Sequence, residues 1–243
     1  MAVAFDAVGP TSAGQVSTVT TAFTWTHPAG TGGSVVVVFL TAGLLGGGSA
    51  GALGSYASVT YGGNAMTLLS SAAGNNSTFG GILMYGITGQ ANGANTVSVG
   101  TYTPPSGATF SQTIGVSLSF TGATRFGTAA TPVVGSAATG SIGITGTTAG
   151  GVCVAGACDG SGVESVSAGT QRFLKDQNSS SMGNTVGATL ASPGGTGTIS
   201  FAWANDLYAI LGVEVSAAAA GTVTPPSWVQ RVAVVPFRAD VIM

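Results

Sequence analysis

An alternation of apolar and small polar residues recurs along the whole sequence, and it restricts the possible folds more than any other feature. In 23–25, 114–120, 199–203 and 207–215 every second residue is apolar, which is the period of a β-strand with one buried face. We therefore expect these segments to be half-buried strands. Val35–Leu40 is apolar at every position, as in a central strand covered on both faces. No stretch of ten residues has helical periodicity without glycine or a β-branched run.

Turn-forming residues separate the predicted strands. They include Gly62-Gly63-Asn64, Pro104-Pro105 and Asp159-Gly160, and a hairpin is expected at Gly62-Gly63, where glycine permits positive φ. Many short strands between such turns favour an all-β fold, a β-sandwich or jelly roll. The chain of 243 residues is long enough for one large domain of this kind. We assign that domain to residues 1–216.

The composition changes in residues 217–243. A small-residue stretch from Ala217 to Gly221 and the pair Pro225-Pro226 are typical of a linker, and an apolar segment with two of the five basic residues follows. We interpret this region as a linker and an extended C-terminal arm that docks onto a partner. Its alternative is a last strand of the same sandwich, since an extended apolar peptide can add to its own sheet edge or to a neighbour's. The residues expected to make the docking contacts are Trp228, Arg231, Phe237 and Arg238.

Charged residues make up 5% of the chain, against roughly 25% in ordinary soluble domains. The five basic residues are scattered and the formal net charge is -2, so the chain cannot neutralise a run of phosphates. We therefore exclude nucleic acid as a partner. A nearly neutral surface also gives weak repulsion between molecules, which favours assembly with copies of itself or other subunits over a free monomer.

Neither a membrane span nor an export signal is expected. The longest dense apolar run, Val35–Leu45, is interrupted by Thr41 and Gly43 and is shorter than the ~20 residues of a spanning helix. The N-terminal residues Met1–Asp6 lack a basic region and a long apolar stretch. We therefore expect synthesis in a cytosol without export, or a signal that has already been removed.

Residues that could carry chemistry are few. The run Gly46–Gly51 fits both a dinucleotide fingerprint and a nucleophile elbow around Ser49, but both motifs require a following helix, which the sequence does not favour. The single histidine, His27, would need a serine partner and an orienting acid for hydrolysis, and we interpret it as a turn or strand-end residue. Asp159–Glu164 offers oxygen ligands without the spacing of a calcium loop. We predict a protein without enzymatic activity, catalytic residues, cofactor or metal.

Two cysteines, Cys153 and Cys158, complete the candidates. A spacing of five places them on opposite faces of a continuous strand, and the pattern is neither CxxC nor a four-ligand metal set. Buried free thiols are the favoured interpretation, and a disulfide across a local bend is the alternative.

Four segments together resemble a known group of proteins: Ser58–Leu68, Ile82–Gly86, Gly93–Val99 and Val116–Gly122. They are similar to the Gly-rich β-sandwich domains of virion proteins of actinobacterial tailed phages, notably minor tail proteins and head decoration proteins, with relatives among bacterial surface proteins. The resemblance covers about residues 1–216. It implies a structural role and brings no catalytic residues, and the C-terminal arm has no counterpart in it.

The expected function is that of a non-enzymatic structural subunit of a tailed-phage virion, with a minor tail protein preferred and a capsid decoration protein as the alternative. Its partners would be other virion proteins and copies of itself. A carbohydrate-binding or adhesin module is a further alternative, in which a host-surface glycan would stack on Trp25, Trp203, Tyr61 or Tyr85 if these were exposed. An ice- or mineral-binding surface would use the many Thr and Ser residues, but a regular repeat is missing.

Overall fold

The computed structural model describes residues 2–11, 14–28, 35–45, 52–74, 80–91, 93–160, 165–175 and 184–217. Within these ranges the chain forms nineteen β-strands and no helix, which confirms the predicted all-β class. The strands are β1 (Ala4–Gly9), β2 (Gln15–Ser17), β3 (Phe23–His27), β4 (Val35–Leu45), β5 (Ser55–Tyr56), β6 (Val59–Tyr61), β7 (Asn64–Ala65), β8 (Thr67–Ala73), β9 (Gly80–Thr88), β10 (Asn95–Val99), β11 (Tyr102–Thr103), β12 (Thr109–Thr121), β13 (Arg125–Phe126), β14 (Val133–Thr147), β15 (Val152–Asp159), β16 (Ser165–Ala168), β17 (Thr170–Lys175), β18 (Asn184–Ala191) and β19 (Gly195–Ser216).

A six-stranded antiparallel sheet forms the centre of the sandwich. Its strands lie in the order β1, β12, β4, β9 and β8, and β2 also pairs with β12. Strand β4 pairs with β12 on one side and with β9 on the other, so that Val38 lies between Ser117 and Tyr85. Val35–Leu40 is buried throughout, as predicted for a strand covered on both faces.

Alternate side chains of β4 enter two different cores. Val37 and Phe39 belong to a first core between the central sheet and a seven-stranded sheet. Val36 and Val38 belong to a second core under a four-stranded sheet with the order β3, β10, β6, β7. Full burial of each of these side chains stabilises the fold by roughly 1.5–3 kcal/mol. The apolar run of β4 thus holds three layers together.

The seven-stranded sheet carries a third core on its other face. Its main path is β13, β19, β15, β18, β17, and β14 and β16 also pair with β19. Strand β19 has 22 residues, and Phe201 from its first half meets Ile210 from its second half in this third core. A Cβ built at Gly197 would lie 2.5 Å from Sγ of Cys153. Strand β19 therefore turns back across the face of its own sheet, and the missing side chain at Gly197 allows this close approach.

The hairpin predicted at Gly62-Gly63 is present between β6 and β7. Both glycines have positive φ, 56° and 81° respectively. These values belong to the left-handed region, which glycine enters without steric cost, so the local sequence determines the turn.

The expectation of half-buried strands is correct for 23–25 and 199–203 and wrong for 114–120 and 207–215. Ser117 is 0% exposed, although it belongs to the polar set of its strand. The reason is a further layer on each apparently polar face. The four-stranded sheet covers β12, with Trp25 bonded to Ser117, and the folded-back first half of β19 covers the second half of the same strand.

No described residue belongs to a helix that is long and apolar enough to cross a membrane. Residues 218–243, which include the predicted arm, lie outside the described part of the chain. The domain boundary at 216/217 therefore stays a prediction.

Candidate functional site

The predicted docking residues lie outside the described residues. This applies to all four, Trp228, Arg231, Phe237 and Arg238. The sites that can be built from the structure are on the sandwich itself.

Seven of the nine charged residues within 1–216 lie in the described part of the chain. Arg125 is exposed, and the other six, Asp6, Asp159, Arg172, Lys175, Asp206 and Glu214, are half-buried or buried. Arg172 shows how such charges are used internally: its Nε donates to Oγ1 of Thr189 at 2.7 Å, and its guanidinium lies 4.0 Å from the ring centroid of Phe5. Burial lowers the pKa of Arg172. Arg125 is therefore the one fully exposed charge among the described residues.

That charge, Arg125, stands at the mouth of a groove of about 400 Å³. One wall is the 125–128 segment, and the other is the end of β14 with Gly146 and the start of the β14–β15 connection with Thr148. Glu214 and Ser216, near the end of β19, form the floor. The groove exists because β13 pairs with β19 over two residues only, Arg125 with Ser216 and Phe126 with Val215.

Glu214 is the buried carboxylate of the groove and is only 4% exposed. The backbone N–H of Thr148 donates to its Oε1 at 2.5 Å. Its other oxygen, Oε2, has no hydrogen-bond partner among the described residues. Gly127 and Gly151 make the space for the carboxylate, because a Cβ at either position would lie within 3.3 Å of a carboxylate oxygen. The groove thus has a negative floor with one oxygen available to a ligand.

Arg125 is positioned by its strand pairing and by one side-chain hydrogen bond. Its Nε donates to Oγ of Ser216 at 3.2 Å, while its Nη groups have no partner in the described part of the chain. An arginine with free Nη groups is suited to bidentate recognition of a carboxylate. Together, Arg125 and Glu214 suit a ligand that brings a cation to the floor and an anion to the mouth.

The donor set of the groove does not fit the common catalytic or metal arrangements. Glycoside hydrolysis uses two carboxyl groups, and here Glu214 is the one carboxylate among the lining residues. Among the described residues, no group of three or more His, Cys, Asp or Glu side chains is placed to hold a metal ion.

A second, more apolar groove of about 270 Å³ lies on the other side of Phe126. Leu69 and Ile87 line it together with Phe126, where the central sheet meets the seven-stranded sheet. Phe126 therefore separates a charged groove from an apolar one.

His27 lies at the end of β3 and is 1% exposed. Its Nδ1 is 2.9 Å from Oγ of Ser117, which also accepts the indole N–H of Trp25 at 3.0 Å and donates to the carbonyl of Gly9 at 3.2 Å. The donor of the hydrogen bond between Nδ1 and Oγ of Ser117 is set by the tautomer of His27. Desolvation lowers the pKa of His27 to about 4, against a smaller opposite effect of Asp6.

This pair joins a histidine to a serine, as hydrolysis would require, but in an enclosed place. Ser117 is 0% exposed, and Nε2 of His27 is buried without a hydrogen-bond partner among the described residues. The network fastens β3 and β1 to β12, and we interpret it as structural. Ser49, the other serine considered, lies outside the described residues.

The aromatic residues considered as glycan platforms are all buried. Trp25, Trp203, Tyr61 and Tyr85 are 4%, 6%, 3% and 7% exposed. The indole N–H of Trp203 donates to the carbonyl of Ala137 at 2.6 Å, so its polar atom is also engaged inside the protein. These four side chains offer no stacking surface, so the condition on which glycan stacking depended is not met for them.

Both cysteines are free and buried. Cys153 packs in the third core and Cys158 in the first, which confirms that they lie on opposite faces of β15. Burial raises the pKa of the Cys153 thiol. Asp159, the first residue of the possible calcium motif, is 0% exposed, and residues 161–164 of that motif lie outside the described ranges.

The charged groove was not found from the sequence, because its residues are far apart in the chain. Arg125 reaches the groove through the pairing of β13 with β19, and Thr148 meets Glu214 through its backbone N–H. One local signal was available: an acidic residue near the end of the apolar segment 207–215 has to find a hydrogen-bond donor inside the fold.

Comparison of the chain with known protein families, curated proteins and solved structures found no match. The interpretation of both grooves therefore rests on their geometry.

Proposed function

We propose that this chain is a non-enzymatic structural subunit of a tailed-phage virion, with a minor tail protein as the first choice and a capsid decoration protein as the alternative. Its partners would be other virion proteins and copies of itself, and its location the virion. The observation that carries the proposal is the nearly uncharged surface, on which Arg125 is the one exposed charge among the described residues. Such a surface is suited to being covered by neighbours.

Several surface features are consistent with contacts between subunits. Strand β8 pairs with β9 alone and therefore leaves one edge open, with Leu68 on it 47% exposed. Val19 and Val134 are 54% and 45% exposed. Open edges and exposed apolar side chains are the groups through which β-proteins associate.

Nucleic acid is not a suitable partner for the described surface. Arg172 and Lys175 are half-buried, which leaves Arg125 as the one fully exposed cation of this part of the chain. A single cation neutralises too little phosphate for binding at physiological salt. The glycan alternative has lost its four aromatic platforms, so no described feature favours it.

The test is to locate the protein in purified particles of the phage that encodes it. We expect mass spectrometry to find the chain in intact particles, and labelling by electron microscopy to place it on the tail rather than the capsid. Absence from purified particles would refute the virion role, and capsid labelling would select the alternative. Deletion of residues 222–243 should abolish incorporation, whereas the surface change Leu68→Ser should leave the amount of folded protein in the lysate unchanged and serves as the expression control.

A further inference from the structure

The charged groove requires a ligand with two opposite charges in a defined order. The acceptor Oε2 of Glu214 is at the floor, and the Nη donors of Arg125 are at the mouth. A matching ligand has a long cationic group that reaches inward and a short anionic group that stays outside. Each contact would be a charge-assisted hydrogen bond, roughly twice as strong as a neutral one.

The sequence itself contains one such pair. Arg238-Ala239-Asp240 is the one place in the chain where opposite charges are two residues apart. In an extended peptide, side chains two positions apart point to the same side, and their Cα atoms are about 6.6 Å apart. The arginine side chain is long enough to reach a recessed carboxylate, while the shorter aspartate would meet Arg125 at the mouth.

The connection to the groove is long enough for the same chain. Strand β19 ends at Ser216, a floor residue, and twenty residues, 218–237, separate Ala217 from Arg238. At up to ~3.3 Å per residue they could span about 65 Å, far more than a return to the groove needs. A tethered segment also has an effective concentration near the millimolar range, so in dilute solution it outcompetes the same segment of another molecule.

We propose that the segment Arg238–Asp240 docks in the groove of its own chain, with Arg238 on Glu214 and Asp240 on Arg125. This inference rests on the proposed function, in which the C-terminal arm engages a partner. The groove is then the resting site of the arm in the free subunit, and a partner in the particle must displace it or take its place.

Hydrogen–deuterium exchange of the full-length chain tests the proposal through the amides of residues 228–243. In the wild type they should exchange more slowly than an unstructured peptide of the same sequence. Arg125→Glu and Asp240→Arg should each increase the exchange rate about tenfold, because each places like charges together. The double variant exchanges the two charges and should return to within about threefold of the wild type.

The controls separate this contact from general effects. Gln230→Glu adds a charge to the arm outside the pair and outside the predicted docking residues, and it should leave the exchange unchanged. Arg125 is exposed, so Arg125→Glu should still fold, which a cooperative melting transition checks. Unprotected amides in the wild type, or single variants that exchange like the wild type, would overturn the proposal. Protection that disappears on dilution from 100 to 1 µM would also overturn it, in favour of a second copy.

The result is independent of the virion test. A protein that is absent from particles but shows the charge-exchange rescue would refute the virion role and leave the groove contact standing. A protein that is found in particles but has an unprotected arm in solution would support the virion role and refute the groove contact.

Discussion

Protonation of His27 should make the stability of this protein depend on pH in a window where most side chains do not titrate. Its pKa is lowered to about 4 by burial, and the unfolded value is about 6.5. The folded state therefore binds fewer protons than the unfolded state below pH 6.5. The contribution of His27 to the free energy of unfolding is fully present above pH 6.5. It decreases as the pH falls below 6.5 and stops decreasing near pH 4.

The magnitude follows from the two pKa values. A difference of about 2.5 units corresponds to roughly 3 kcal/mol in full, and about 2–3 kcal/mol of it should be lost between pH 7.5 and 4.5. His27 is 1% exposed, so solvent screening does not reduce this value. The charged and titratable groups facing the ring are Asp6 and Tyr61, and Asp6 opposes the shift.

Urea unfolding at pH 7.5 and pH 4.5 measures the effect. The control is His27→Asn, whose amide can still donate to Ser117 and does not titrate. Its free energy of unfolding should change with pH by about 2–3 kcal/mol less than that of the wild type. An equal pH dependence in both proteins would refute the assignment of a buried neutral imidazole. Comparing the two proteins at the same pH removes the contribution of carboxyl groups.

Three further outcomes are expected. Phe201→Ala should destabilise the fold by about 3–5 kcal/mol because it opens a cavity in the third core, whereas Val134→Ala, at a side chain 45% exposed, should cost less than about 0.5 kcal/mol in the same urea titration. Gly197→Val should cost about 1–3 kcal/mol or more, since its Cβ would meet Sγ of Cys153 at 2.5 Å, and Gly143→Ala, whose Cβ would be 3.6 Å from its nearest neighbour, is the control with little effect on the melting temperature. A maleimide should modify neither Cys153 nor Cys158 within minutes in the native protein and both in 6 M guanidinium chloride, as judged by intact mass, and rapid native labelling would contradict their burial.

The elements that the sequence predicts correctly have local causes. The apolar run Val35–Leu40 has to be covered on both faces, and Gly62-Gly63 supplies the positive φ that its hairpin needs. In both cases neighbouring residues carry the complete signal. The all-β class follows from many such signals along the chain.

The failures have non-local causes. Ser117 alternates with apolar neighbours and is predicted to face solvent, yet it is buried because His27 and Trp25, ninety or so positions away, bring hydrogen-bonding partners across the interface. Small polar residues fit a buried face as well as a wet one when partners arrive from another layer. Alternation therefore determines the strand but not the number of layers above it.

The environment of Glu214, like that of Ser117, is formed by residues that are distant in the sequence. Burial of a carboxylate costs several kcal/mol unless it is fully compensated, and here one oxygen has a backbone partner while the other has none among the described residues. A glutamine would accept the same hydrogen bond from Thr148 without a charge, so the fold does not require an acid at this position. In a chain with seven acidic and five basic residues, a buried charge that the fold does not need, below an exposed arginine, is best explained by a cation that binds there. The groove rather than the buried histidine is therefore where we expect selection for binding to have acted.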